Sequence, residues 1–171
     1  ALTICYRDEY AQMLGEQKGE FNVLLPEEWL TQQFGTQKFE DNFDKIKAKV
    51  LAKANSDKFK EPYYLFTHCT ERALVTPAPI MWQNLMNKFG LNLIPINVAC
   101  CGMAGLFGHI AKNHDETYAV YEKNWKGEIQ KRDFNHCLIT GFSCRSQVLR
   151  MEGKRANHPL FVLDELLKEA Q

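Results

Sequence analysis

Leu91-Asn92-Leu93-Ile94-Pro95-Ile96-Asn97-Val98-Ala99-Cys100-Cys101-Gly102-Met103-Ala104-Gly105-Leu106-Phe107-Gly108-His109-Ile110-Ala111 is the segment from which the architecture can be read. Its first eight residues are a short apolar run and read as a buried strand. Met103 to Ala111 are small and apolar and read as a helix. Two adjacent thiols therefore fall where a strand gives way to a helix, the place where α/β sheets bind ligands and cofactors. A helix start also presents unpaired N–H groups and the positive end of a dipole, which favour the thiolate, the metal-binding form of cysteine.

The same pattern recurs on either side. Tyr63-Tyr64-Leu65-Phe66-Thr67 reads as a strand that delivers His68-Cys69, and Cys137-Leu138-Ile139-Thr140 as another that delivers Gly141-Phe142-Ser143-Cys144. Helices are predicted over 79–89 and 114–131, from after Cys144 through Arg150, and over 159–167, the last with Asn157 or His158 at its cap and Pro159 in its first turn. Tyr118, Tyr121 and Trp125 share one side of the 114–131 helix and read as packing. Alternating strands and helices predict an α/β fold, a mainly parallel sheet flanked by helices with the cysteines at the carboxyl ends of the strands. Right-handed crossovers then bring Cys69, Cys100, Cys101 and Cys144 to one rim.

Upstream, the sequence predicts a helix over 6–14, a short strand over 21–25 stopped by Pro26, a helix over 27–34 and a longer one over 42–54. The lysines of this last helix, Lys45, Lys47, Lys49 and Lys53, read as a solvated face.

The whole-chain properties narrow the function classes. The chain has 171 residues, 45% of them hydrophobic, enough for one compact core. Lys plus Arg and Asp plus Glu each number 21, so bulk charge points to no nucleic-acid partner. No apolar run approaches the roughly 20 residues that span a bilayer, and no signal-peptide pattern is visible. The first residues, from Ala1 to Tyr10, read as the middle of a longer polypeptide. A cytoplasmic location is expected, or membrane association through the parent protein.

Six cysteines in such a chain read as ligands more than as disulfides. Four thiolates suit a zinc ion or an iron–sulfur cluster. No Cys-x-x-Cys occurs, and side chains of adjacent residues in extended backbone point apart. A cluster several ångströms wide uses both members of the pair more readily than one small ion does. A thiol–disulfide enzyme working through the vicinal pair is the weakest reading, because that disulfide closes a strained ring. Cys137 reads as core packing and Cys5 has no assigned role. His68 and His109 flank the site and read as capping or packing residues, or as groups that replace a thiolate or hydrogen-bond a sulfur. Gly102, Gly105 and Gly108 do not form the dinucleotide fingerprint and read as places of close backbone approach. Arg145 and Arg150 read as a solvated helix face or as charges offsetting those of a thiolate-bound cluster.

Several blocks carry a resemblance: Tyr6-Arg7-Asp8-Glu9-Tyr10, Leu24-Leu25-Pro26-Glu27-Glu28-Trp29-Leu30, His68-Cys69-Thr70-Glu71, Cys100-Cys101-Gly102-Met103-Ala104-Gly105 and Ser143-Cys144-Arg145-Ser146-Gln147. Together they resemble the cysteine-rich CCG domain found in heterodisulfide reductase and in the glycolate oxidase iron–sulfur subunit. The likeness is strongest to the carboxyl-terminal region of large FAD-linked oxidases of the D-lactate and D-2-hydroxyglutarate dehydrogenase type. The resemblance implies the tail of a first CCG unit with connecting helices over 1–60 and a second unit over 61–171. It implies a [4Fe–4S] cluster held by Cys69, Cys100, Cys101 and Cys144 with Gly102 beside it, and FAD elsewhere in the parent. It implies a relay of electrons from the flavin domain of the same polypeptide to an outside acceptor, the fragment itself not being catalytic. The alternative is a structural zinc or protein-interaction module without a redox role. The family pattern often closes with Cys-x-x-Cys. Here Gly141 stands at the first of those positions, leaving four candidate ligands.

Overall fold

The computed structural model describes residues 2–20 and 22–170. Three short parallel strands, β1 (Tyr63–Phe66), β2 (Leu93–Pro95) and β3 (Cys137–Ile139), form a sheet in the order β2-β1-β3. Tyr64 of β1 pairs with Ile94 on one side and with Cys137 on the other. Asn157 extends the sheet by a single parallel bridge to Leu138.

Alternation along the strands feeds two cores. Tyr63, Leu65, Leu93 and Leu138 point to one face. There they meet Trp82 and Met86 of α7 (Ala78–Lys88), Val50 of α5 (Lys47–Ala54) and Leu166 of α11 (Pro159–Glu169). Phe66, Cys137 and Ile139 point to the other. There they meet Tyr121 of α8 (His114–Tyr121), Ile129 of α9 (Gly127–Gln130) and Val148 of α10 (Phe142–Glu152). Each fully buried aliphatic or aromatic side chain of this kind contributes about 1.5–3 kcal/mol. The α/β architecture with helices on both faces is the one the alternation predicts.

Local chemistry sets the ends of the elements. His158 accepts the Leu160 N–H at 3.2 Å and Pro159 opens α11, as its sequence implies. Pro95 is the last residue of β2, an edge strand, where a missing N–H is tolerated, and the Ile96 N–H beyond it still donates to the Leu65 carbonyl at 2.8 Å.

Upstream the structure departs from the sequence reading in three places. The predicted strand over 21–25 does not form: Phe21 lies outside the described residues, and Asn22 to Leu25 are extended but unpaired with any strand. Side chains take up their polar groups instead. Arg7 Nε donates to the Val23 carbonyl at 2.6 Å, and the Leu25 N–H donates to Glu28 at 2.7 Å. Glu28 also pairs with the Arg7 guanidinium, tying α1 (Leu2–Arg7) to α3 (Pro26–Phe34). The helix expected over 6–14 is divided into α1 and α2 (Glu9–Leu14). That expected over 42–54 is divided into α4 (Gln37–Asp44) and α5, where the Ile46 N–H bonds the Phe43 carbonyl at 3.0 Å in a tighter i,i+3 turn.

The largest departure follows Cys101. Met103 to Ala111 form turns and one-turn 3₁₀ segments at Phe107–His109 and Ala111–Asn113, not an α-helix. Gly102, Ala104 and Gly105 have φ of 91°, 43° and 64°, values that a right-handed helix excludes. The loop is closed by the Gly108 N–H on the Met103 carbonyl at 2.8 Å and tied to α10 by Arg150, which donates to the Gly108 carbonyl at 2.6 Å. Arg150 therefore holds the loop through this hydrogen bond.

Candidate thiol site at the carboxyl ends of the strands

Strand order β2-β1-β3 puts a topological switch point between β1 and β3, where chain leaves the sheet in opposite directions. A cleft of about 680 Å³ opens there. His68 and Cys69 reach it from β1, Cys100 and Cys101 from the segment after β2, and Gly141 and Ser143 from the segment after β3. Thr3 and Ile4 of α1 cover part of it.

The structure places the four cysteines predicted to converge as two neighbouring pairs. Cys100 is hydrogen-bonded to Cys69, and Cys101 to Cys144. Cys69 and Cys100 are half-buried, whereas Cys101 and Cys144 are buried. A hydrogen bond from Cys144 lowers the Cys101 thiol to about 7, while that same bond and burial push Cys144 up. Within the inner pair the thiolate is therefore favoured on Cys101 and the proton on Cys144. Cys100 is raised by burial, against the Gly102 N–H that donates to its sulfur at 3.4 Å.

The helix-start argument applies to different cysteines from those the sequence suggested. The segment directly after Cys101 forms turns and 3₁₀ segments, and the next α-helix begins at His114. Cys69 is the first residue of α6 (Cys69–Leu74), and Cys144 lies in the first turn of α10. The vicinal pair sits on a loop held by side chains of neighbouring elements.

His68 caps α6. Its Nδ1 accepts the Thr70 N–H at 3.2 Å, so the ring proton of the neutral form is on Nε2, 3.3 Å from Ser143 Oγ. Burial keeps this histidine below its ordinary value and therefore neutral. His68 joins the Cys69 and Cys144 segments, while His109 is exposed. Gly141 fits between them: a Cβ there would lie 2.5 Å from His68 Cδ2 and 2.9 Å from Cys144 Sγ. The site has no room for a fifth side chain at this position. Arg145 donates to the carbonyls of Ile139 and Thr140 at 2.9 and 3.0 Å, which fixes a half-buried positive charge beside Cys144.

Two of the six cysteines stand apart. Cys137 packs in the core, its thiol pushed up to about 11 by burial. Cys5 is exposed on α1, its thiol raised by a hydrogen bond with Glu9. Among the described residues, no group of three or more histidine, cysteine, aspartate or glutamate side chains is disposed to hold a metal ion.

Sequence reasoning missed the carboxyl groups beneath the site. Glu71 of α6 lines the cleft, accepts Thr140 Oγ1–H at 2.6 Å and is 9% exposed. Thr140 in turn accepts the His68 N–H at 2.9 Å. Behind Glu71 lies Glu27 of α3, 1% exposed. Burial first, then the charge of Glu71, raises Glu27 to about 8; burial raises Glu71 as well. Glu27 therefore carries a proton at neutral pH and gives it to Glu71 in a hydrogen bond that joins α3 to α6.

Comparison with known proteins adds a family likeness. The sequence is 43% identical over 168 residues to D-2-hydroxyglutarate dehydrogenase of Escherichia coli (strain K12), a match that covers 98% of this chain and 15% of that protein. It is 43% identical over 167 residues to the protein of that name from Pantoea ananatis, with the same coverage. For the Haemophilus influenzae protein of that name the figure is 39% over 168 residues, with 98% of this chain and 16% of that protein covered. The chain thus spans about 15% of the length of the relatives it matches. No protein-family model matches it, and no solved structure does. No helix among the described residues is long and apolar enough to cross a membrane.

Proposed function

We propose, from the likeness to D-2-hydroxyglutarate dehydrogenases, that this chain is the iron–sulfur electron-transfer part of an FAD-linked oxidoreductase acting on a D-2-hydroxy acid. The observation that carries the reading is the meeting of Cys69, Cys100, Cys101 and Cys144 at one rim of a parallel sheet, each arriving from a segment that follows a strand.

The donor set fits the group. Thiolates are the ligands of iron–sulfur clusters, and four of them complete a [4Fe–4S] site. The hydrogen bond from Cys144 favours the thiolate of Cys101, and hydrogen bonds link the four side chains. Cys69, Cys100, Cys101 and Cys144 would hold the cluster, with the Gly102 N–H directed at the sulfur of Cys100. When bound, the cluster supplies one-electron transfer between flavin and acceptor. The protein's own part is to arrange the ligands and set their electrostatics. His68 ties the Cys69 and Cys144 segments together. The fixed guanidinium of Arg145 offsets thiolate charge, and α1 covers part of the cleft. FAD, the hydroxy acid and the flavin domain belong to the remainder of the polypeptide, and the acceptor lies outside it.

A structural zinc site asks four sulfurs to share one point. Adjacent residues such as Cys100 and Cys101 serve a cluster several ångströms wide more readily than a single small ion, which favours the cluster.

Anaerobic reconstitution with iron and sulfide tests the proposal. The expected product is coloured, with iron and acid-labile sulfide in equal amounts. A colourless product with one zinc per chain would replace this reading with the structural one.

A further inference from the structure

The helix that packs against the cysteine loop changes pitch part-way along. Between α8 and α9, residues Glu122–Lys126 form a π-helical segment. Such segments are rare, and they occur where a helix adjusts to a functional neighbour. No proline or glycine lies within this one. Its wider turn reduces the angle between successive side chains, so two neighbours can face one loop.

Two neighbours do. Asn124 Nδ2 donates to the Cys100 carbonyl at 3.1 Å, and Trp125 Nε1 donates to the Ala99 carbonyl at 2.9 Å. Neither carbonyl accepts a backbone N–H among the described residues. On the far side of the pair, Gly102 lies against α8, where a Cβ would stand 2.5 Å from the Thr117 carbonyl oxygen. Gln147 of α10, fully buried, donates to that same carbonyl at 3.3 Å. The loop is thus gripped on both flanks of the vicinal cysteines by one helix.

We infer that Asn124 and Trp125 are positioning residues: the π-helical segment exists to aim them at consecutive carbonyls and so fix where Cys100 and Cys101 present their sulfurs. Trp125 also fills the core, whereas half-buried Asn124 has its polar end committed to the loop. The inference rests on the proposed cluster for its purpose, though its geometry belongs to the chain alone.

The test uses Asn124→Leu, which keeps size and loses the donor, and Trp125→Phe, which keeps an aromatic ring and loses the N–H. Lys123→Ala, an exposed neighbour within the same segment, is the control. In the cluster-free chain, labelling of each cysteine by iodoacetamide is followed by mass spectrometry. Both variants are expected to label Cys100 about two- to tenfold faster, the factor set by one lost hydrogen bond. Buried Cys137 should stay unlabelled, which shows that the chain is folded, and Lys123→Ala should behave as wild type. After reconstitution, Asn124→Leu should shift the reduction potential and the electron paramagnetic resonance of the reduced chain. Wild-type labelling of Cys100 in both folded variants would overturn the inference. Failure of the wild-type chain to take up iron would overturn the cluster reading, and the labelling rates alone would then decide whether the two side chains position the loop.

Discussion

Glu27→Gln is expected to make the chain more stable at pH 8.5 and to leave it nearly unchanged at pH 5. Glu27 is buried against Glu71, and neither Oε1 atom of the pair has a conventional donor. A proton shared between the two carboxyl groups is the bond available to them. The folded chain holds that proton up to about pH 8, whereas the unfolded chain releases it near the ordinary glutamate value of 4.5. A group raised in this way favours folding fully below the lower value, and the advantage is lost as pH rises through the upper one. Glutamine keeps a donor for Glu71 and has no proton to lose. The expected gain at pH 8.5 is about 2–4 kcal/mol, since each tenfold change in proton affinity corresponds to about 1.4 kcal/mol. Denaturant unfolding at the two pH values measures it. An equal effect of the substitution at both would contradict the shared proton.

Gly102→Ala is expected to cost about 3 kcal/mol or more and to disorder the cysteine loop. The residue has φ +91°, and its new Cβ would meet a helix carbonyl at 2.5 Å and Val120 Cβ at 3.3 Å. Neither can give way, because the carbonyl belongs to α8 and is held by Gln147. Strain and overpacking each add about 1–3 kcal/mol. Gly105→Ala separates the two effects. It has φ +64° but nothing within 4 Å of the Cβ, so it should carry the conformational cost alone, about 1 kcal/mol. Equal costs for the two alanines would show that the close approach to Thr117 has no energetic weight.

The sheet was legible because each strand is a short apolar run ended by a polar or breaking residue, and α7 and α11 carry a proline in their first turn. The cysteines were legible through their place after those runs. What escaped was whatever depends on partners far apart in the chain. The string Met103-Ala104-Gly105-Leu106 has the composition of a small-residue helix, and only backbone angles show that it turns. Glu27 lies in a polar first turn, Pro26-Glu27-Glu28, and looks like surface; its burial comes from Glu71, which arrives with another element. The π-helical segment has no residue of its own to announce it. The upstream strand failed for a related reason, because Arg7 and Glu28 take hydrogen bonds that a neighbouring strand would have supplied. A sharper reading of His68-Cys69-Thr70-Glu71 could have found Glu71, a carboxyl group placed two residues after a strand-end cysteine.

Whether the four thiols act as one site is open to direct test by differential alkylation of the chain, loaded anaerobically with iron and sulfide and then stripped with a chelator. Half-buried Cys69 and Cys100 are expected to be protected together in the loaded chain and to become reactive together once iron is removed, while exposed Cys5 reacts in both states; buried Cys101 and Cys144 are read in the stripped chain after unfolding in denaturant, where all four should label. Iron bound with Cys69 or Cys100 as reactive as in the stripped chain would contradict a single four-thiolate site, and so would a chain that takes up no iron.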